Sequence, residues 1–294
     1  MLPIVQLAYY EGKHTQVEKF EVQIDRRDDM VYEEEAWFSF VMLPMLGDDG
    51  KAAGVIDEFV EITNAVIAER RVTTIVKIGE GAAAAETLHD VWQSTLKALS
   101  ENDRDVPFAI LYSVKNSEGE EFSSRSSETA SQSNLAVSEK YCWLEGVVGL
   151  DETNPAVLKS FLVSEGKEGF AYYCRDSLQT RRPSLIESNA MPTGLVQVIP
   201  GRSPYLRAVV CAIQPVYGST VLGFLVLGLN ARRPYNDAQR DYIRLLNDRI
   251  NTCTAQVVLP REQREAQAAI EDSALRHSSL TKQLLLRTQE AERS

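Results

Sequence analysis

Apolar residues fill both alternating faces of residues 224–229, with Phe224 and Val226 on one side and Leu225, Leu227 and Leu229 on the other. A strand covered on both sides has this pattern, so the run predicts a central strand. Pro234 then breaks the chain, and Asn236 followed three residues later by Gln239 has the spacing of an N-cap and its reciprocal partner. The helix that follows repeats apolar residues at Tyr242, Leu246, Ile250, Cys253 and Val257, steps of three and four. Arg240, Arg244, Asp248 and Arg249 lie off that stripe. One face of the helix is expected to pack on the sheet.

The same reading extends over the rest of the chain. Residues up to about Thr63 read as strands: 17–24 alternates, 37–43 is aromatic and apolar, and 53–60 returns after Gly47-Asp48-Asp49-Gly50, a turn sequence tolerant of positive φ. Residues 64–78 predict a helix with Ala68, Val72, Ile75 and Gly79 on one stripe. A second helix, from about Ala82, is faced by Leu88, Val91, Trp92, Thr95 and Leu99. Strands are predicted at 106–114 and 141–150, separated by a Ser- and Glu-rich stretch, 117–138, that reads as a flexible insertion. Asn154-Pro155 predicts the start of a short helix, 169–175 a short strand, and 181–204 a long loop. The runs 207–217 and 221–229 are joined closely enough to require an antiparallel hairpin. Residues 261–294 contain no Gly or Pro and are rich in Ala, Glu, Gln, Arg and Leu, which favours a continuous helix with a weak coiled-coil seam.

Composition narrows the function classes. The chain has 294 residues, 44% hydrophobic and 25% charged, enough for one large or two modest domains. Its formal charge of −11 and the absence of a basic stripe argue against nucleic acid. The paired arginines 26–27, 70–71, 181–182 and 232–233 read as surface charge. No apolar run reaches membrane-spanning length and the start lacks a signal-peptide pattern, so a cytoplasmic location is expected. The four cysteines have no CxxC spacing and sit in apolar runs, so neither metal nor disulfide is expected.

Three motifs invite chemistry. Gly79-x-Gly81-x-x-Ala84 has dinucleotide-fingerprint spacing but lacks a preceding strand and a following βαβ unit, and reads instead as a joint between helices. His89 and His277 read as structural rather than as phosphoacceptors. Cys174, beside Arg175, is the one cysteine with a neighbour able to lower its pKa, which makes it the candidate for a redox site.

The run LPMLGDDGKAAGVIDEFVEIT is similar to the final hairpin of a PAS domain, with only about half of such a domain's length before it. DVPFAILYSV, GFLVLGLNARRPY and the order of elements around them resemble a GAF domain. Together with AVIAERR and the ALRHSSLTKQLLLRTQEAERS helix, they resemble the sensory region of fungal hybrid histidine kinases. The resemblance implies an α+β fold: a partial PAS-like unit at 1–63, a helical linker at 64–81, a GAF domain at 82–260 with an antiparallel sheet of five to six strands and flanking helices, and a signalling helix at 261–294. It also implies a ligand pocket walled by Trp143, Phe161, Phe170, Tyr172 and Tyr173. The ligand is not identified, and an empty pocket is equally compatible. The expected role is a non-enzymatic input module of a two-component phosphorelay, paired as a homodimer through its terminal helices and followed by kinase domains in a longer chain. The alternatives are a constitutive dimerisation scaffold and a thiol-dependent GAF-fold reductase using Cys174.

Overall fold

A computed structural model describes residues 2–24, 34–115, 140–195, 207–215 and 220–260. The predicted insertion 117–138 and the predicted signalling helix 261–294 lie outside the described residues.

The chain opens with helix α1 (Leu2–Glu11), where the sequence predicts strand. Its Ala8 packs on Phe40 and Met42 of a three-stranded antiparallel sheet, β1 (Thr15–Ile24), β2 (Glu34–Leu46) and β3 (Ala52–Glu61), in sequence order. The β2–β3 hairpin closes as expected at 47–50. Gly50 takes φ +75°, Asp49 Oδ1 accepts from the Lys51 amide at 3.1 Å, and the Gly47 amide bonds the Lys51 carbonyl at 2.8 Å.

Helix α2 (Thr63–Ala83) is a single 21-residue rod that runs through the expected joint. Gly79 and Gly81 sit inside it for packing. A Cβ at Gly79 would fall on the Arg249 guanidinium and one at Gly81 would come 2.7 Å from Ser94 Cβ, so their missing side chains let neighbouring helices approach. The buried residues of α2 are Thr63, Ile67, Thr74, Ile78, Gly79 and Ala82. Of the predicted stripe, Ala68 and Val72 face outward, while Ile75 and Gly79 pack inward. Helix α3 (Leu88–Ser100) follows, started by a capping box between Thr87 and Asp90, and it buries the face expected of it.

A six-stranded antiparallel sheet forms the rest: β4 (Ala109–Lys115), β5 (Tyr141–Val148), β6 (Ser160–Leu162), β7 (Ser184–Ile186), β8 (Arg207–Ile213) and β9 (Gly223–Leu229), in spatial order β6-β5-β4-β9-β8-β7. β9 is central and wholly buried, as its two-faced apolar pattern requires. Phe224 and Val226 face a core shared with the segment 150–195. Leu225 and Leu227 face a second core under α2, α3 and helix α5, which spans residues 237–260. The start of α5 follows its sequence signal, with Asn236 Oδ1 accepting from the Gln239 amide at 3.1 Å, and Leu246 and Ile250 are fully buried against the sheet.

Further elements differ from the sequence reading in the segment 150–195. Asn154-Pro155 starts no helix: Asn154 instead ties a turn, its side chain accepting from the Ala156 amide at 2.9 Å and donating to the Gly194 carbonyl at 3.1 Å. Residues 169–175 are not a strand but lead into helix α4 (Ala171–Thr180), because the residues that find cover, Ala171, Cys174 and Ser177, recur every three positions. The long loop expected at 181–204 contains β7.

Leu246→Ala should lower stability by about 2–5 kcal/mol through the cavity left between α5 and the sheet. Urea unfolding with an unchanged slope would register it.

Candidate functional site

The expected pocket wall divides in the structure. Phe161 on β6 and Phe170 at the N-cap of α4 are buried on the same sheet face, edge-on to Tyr112 at 5.0 Å and tilted against Phe108 at 6.5 Å respectively. Tyr173 packs partly buried against them and its hydroxyl donates to the Ala190 carbonyl at 3.0 Å. Trp143 does not join them. It alternates with the buried Cys142 along β5, which sends it to the opposite face, where it is 37% exposed. Tyr172 is 55% exposed on the outer side of α4, under the Arg175 guanidinium. Three of the five residues thus share a site, and two do not. At its centre the fully buried Tyr112 hydroxyl faces the Leu158 backbone without a well-formed hydrogen bond, and burial pushes its pKa up.

Cys174 is fully buried in this core with Cys142. Burial pushes both thiols well above their ordinary pKa. The positive neighbour expected to activate Cys174 points elsewhere: Arg175 donates to the carbonyls of Val163 and Ser164. In this environment Cys174 is held as a thiol, which is a weak nucleophile.

The most charged buried cluster lies where the three-stranded sheet meets the helices. Arg70 of α2 spans two carboxylates as a double fork: Nε and Nη2 donate to Asp105 at 2.8 and 3.0 Å, and Nη1 and Nη2 to Glu35 at 2.8 and 3.3 Å. Asp105 has no exposed surface and Glu35 is 2% exposed. Glu35 also accepts from Trp37 Nε1 at 2.8 Å and Asn230 Nδ2 at 3.0 Å. Burial works against its charge, but these donors, Arg70 first, outweigh it and hold its pKa at about 2. Asn102 links Asp105 to Thr74. Arg71 lies over the Tyr242 ring at 4.8 Å and donates to the Gln239 side chain and the Ala238 carbonyl of α5. Arg104 closes the outer side, forked on Glu21 of β1 at 2.6 and 2.9 Å with its guanidinium 5.5 Å from the Trp37 ring.

One contiguous cluster thus bonds β1, β2, α2, the α3–β4 loop, the β9–α5 turn and α5. A cleft of about 370 Å³ opens beside it, lined by Trp37, Arg70, Lys77, Glu101 and Arg104 among others. Arg70-Arg71 and Arg232-Arg233 therefore belong to a joint and not to the solvated surface the sequence suggests: Arg71 is 13% exposed at its side chain, and the Arg232 carbonyl accepts from the Glu35 amide at 3.2 Å. Among the described residues no His, Cys, Asp and Glu group has metal-binding geometry, and no helix is long and apolar enough to cross a membrane.

No family model and no curated protein matches the sequence. Among solved structures, the chain is similar to the GAF domain of nlh2 from A. aeolicus in an inactive state, at 13% identity and a TM-score of 0.42, covering 66% of this chain and 99% of that one. It is likewise similar to the GAF domain of an Acinetobacter phosphoenolpyruvate-protein phosphotransferase, at 15% identity and a TM-score of 0.38 over 63% of this chain and 93% of that one. A third is fRMsr of Staphylococcus aureus in complex with substrate, at 10% identity and a TM-score of 0.39 over 62% of this chain and 94% of that one.

Arg70→Ala should cost about 3–5 kcal/mol by leaving two buried carboxylates without their cation, which chemical denaturation would report. Glu35 adds a pH signature. Its folded pKa lies below the ordinary 4.5, so its contribution is present above that value and is lost as pH falls towards about 2. Glu35→Gln should flatten the fall in melting temperature over that window.

Proposed function

We propose that the chain is a sensory and dimerising module, the input region of a two-component phosphorelay of the fungal hybrid histidine kinase kind, acting in the cytoplasm and without catalysis of its own. The observation that carries the dimer is the outer face of α2. Ala65, Ala68, Val72 and Val76 recur there at steps of three and four and are exposed, Val72 by 58% and Val76 by 47%, while the opposite side of the helix is packed. A helix with two apolar faces has two partners, and α5 presents Leu245, 57% exposed, on the neighbouring helix. Pairing α2 and α5 with those of a second copy buries these residues.

The Arg70 cluster supports the transmitting part of the role. It fixes the three-stranded sheet to α2 and α5, so a change at either sheet reaches the helix that leads onward. Within this reading the core around Tyr112, Phe161 and Phe170 is the place for a small-molecule signal, and a permanently filled core makes the same module a constitutive scaffold. The reductase alternative is disfavoured by the burial and protonation of Cys174. The PAS-like identity of residues 1–63 and the following kinase domains rest on the sequence resemblance.

The test uses the full chain, whose four native cysteines are all buried. Val72→Cys should form a disulfide-linked dimer on mild oxidation, and Thr73→Cys, one position off the stripe, should form far less. Equal yields, or none at Val72, would remove the helix-paired dimer. Native mass spectrometry of the same chain separates sensor from scaffold: a discrete added mass marks a ligand-gated module, and bare protein marks a scaffold.

A further inference from the structure

The cleft beside the Arg70 cluster measures about 370 Å³, within the range of roughly 300–1,000 Å³ that small-molecule sites occupy. None of its lining residues belongs to the core around Tyr112 or to the exposed stripe of α2. One wall is a single face of α2, where Val66, Glu69, Arg70, Thr73, Thr74 and Lys77 keep in line, so the stretch from Glu69 to Lys77 runs ~12 Å. Trp37 of β2 and Arg104 of the α3–β4 loop also line it, the guanidinium 5.5 Å from the indole ring. The indole N–H already donates to Glu35 at 2.8 Å, so Trp37 offers the cleft apolar ring surface. Thr74 and Asn102, both buried and bonded to each other at 2.9 Å, add polar lining.

The charges on this lining are unequal. Lys19, Arg70, Lys77 and Arg104 stand against two carboxylates, Glu69 and Glu101, in a chain whose formal charge is −11. Two of the cations are committed: Arg70 to Glu35 and Asp105, and Arg104 to Glu21, none of which lines the cleft. The other two are exchangeable. Lys77 bonds Glu101 at 2.5 Å and Lys19 bonds Glu69 at 2.6 Å, and all four side chains are at least 43% exposed. Exposed pairs of this kind add little to stability, and an ammonium has three donors, of which its glutamate takes one. An anionic group entering the cleft therefore gains lysine donors without breaking a buried bond, whereas a cation would meet four positive side chains. A flat apolar body beside Trp37 and the aliphatic stems of the lysines removes further apolar surface from water.

We propose that this cleft binds a small organic anion, its flat apolar body against Trp37 and its acid group held by Lys77 or Lys19. Because β1, β2, α2 and the end of α3 all contribute lining, the occupant touches both units that the Arg70 cluster joins. The site rests on neither the dimer nor the phosphorelay reading.

Fluorescence titration of the full chain with 8-anilinonaphthalene-1-sulfonate, a flat organic anion, tests this alongside N-phenyl-1-naphthylamine, the same ring system without the acid group. The sulfonate should saturate at one molecule per chain and bind about tenfold more weakly to the double variant Lys19→Gln, Lys77→Gln. The neutral compound should not distinguish that variant from the parent. A second double variant, Lys13→Gln, Lys51→Gln, removes the same charge from exposed positions outside the cleft and should bind the sulfonate like the parent. All four lysines are exposed, so melting temperatures should match. Unchanged sulfonate affinity in the first variant would place the dye on an apolar face such as the outside of α2 and overturn the proposal. Equal weakening in both variants, which reports net charge alone, would do the same, as would equal weakening of the neutral compound or the lack of any saturable signal.

Discussion

The fold depends at its joint on one guanidinium. Arg70 takes two buried carboxylates, and each of them lies 35 residues away, Glu35 before it and Asp105 after it. Neither acid can be buried alone, because an unpaired interior carboxylate costs several kcal/mol, and Arg70 cannot leave water without them. The three groups therefore fold together or not at all. This ties the register of β2, the rotation of α2 and the path of the α3–β4 loop to one geometry. A hydrophobic contact at the same place would tolerate sliding; a double fork does not.

Around that point the molecule separates its apolar surfaces by the two faces of β9. Phe224 and Val226 serve the core beneath residues 150–195, and Leu225 and Leu227 serve the core beneath α2, α3 and α5. A displacement of the central strand is thus shared between the aromatic core around Tyr112, Phe161 and Phe170 on one side and the helices on the other. Arg71, held over Tyr242 and bonded to the first turn of α5, adds a second route between α2 and α5 that bypasses the sheet.

The parts of this structure legible in the sequence are those governed by short periods. The alternation in β1, the apolar run of β2 and its return in β3, the two-faced pattern of β9, the Asn236 cap, and the stripe of Tyr242, Leu246 and Ile250 all appear where local pattern places them. The joint was not legible, because two adjacent arginines look alike on a surface and in an ion-pair cluster, and their partners are far away in sequence. A weak signal was present in Glu34-Glu35 placed directly before an apolar strand, where a solvated position is unexpected. The pocket reading failed at Trp143 by parity: assigning Cys142 to the core already commits its neighbour to the other face. Tyr172 was lost because its segment is helical and turns successive aromatics in different directions. The stripe of Ala68, Val72, Ile75 and Gly79 splits between an exposed and a packed side of α2, since sequence distinguishes an apolar face from a polar one and does not say which neighbour covers it.

Gly79 carries one further consequence. Its empty side-chain position is filled by the Arg249 guanidinium, so α2 and α5 meet as a notch and a tooth. One helical turn away on α2 stand Ile75 and Ala83, whose side chains leave no such recess. Gradual slippage between the two helices would drive the guanidinium against a Cβ almost at once. Because that guanidinium is the tip of a flexible side chain, it can swing clear at little cost, so the recess at Gly79 gives α5 a preferred seat on α2 without fixing it there.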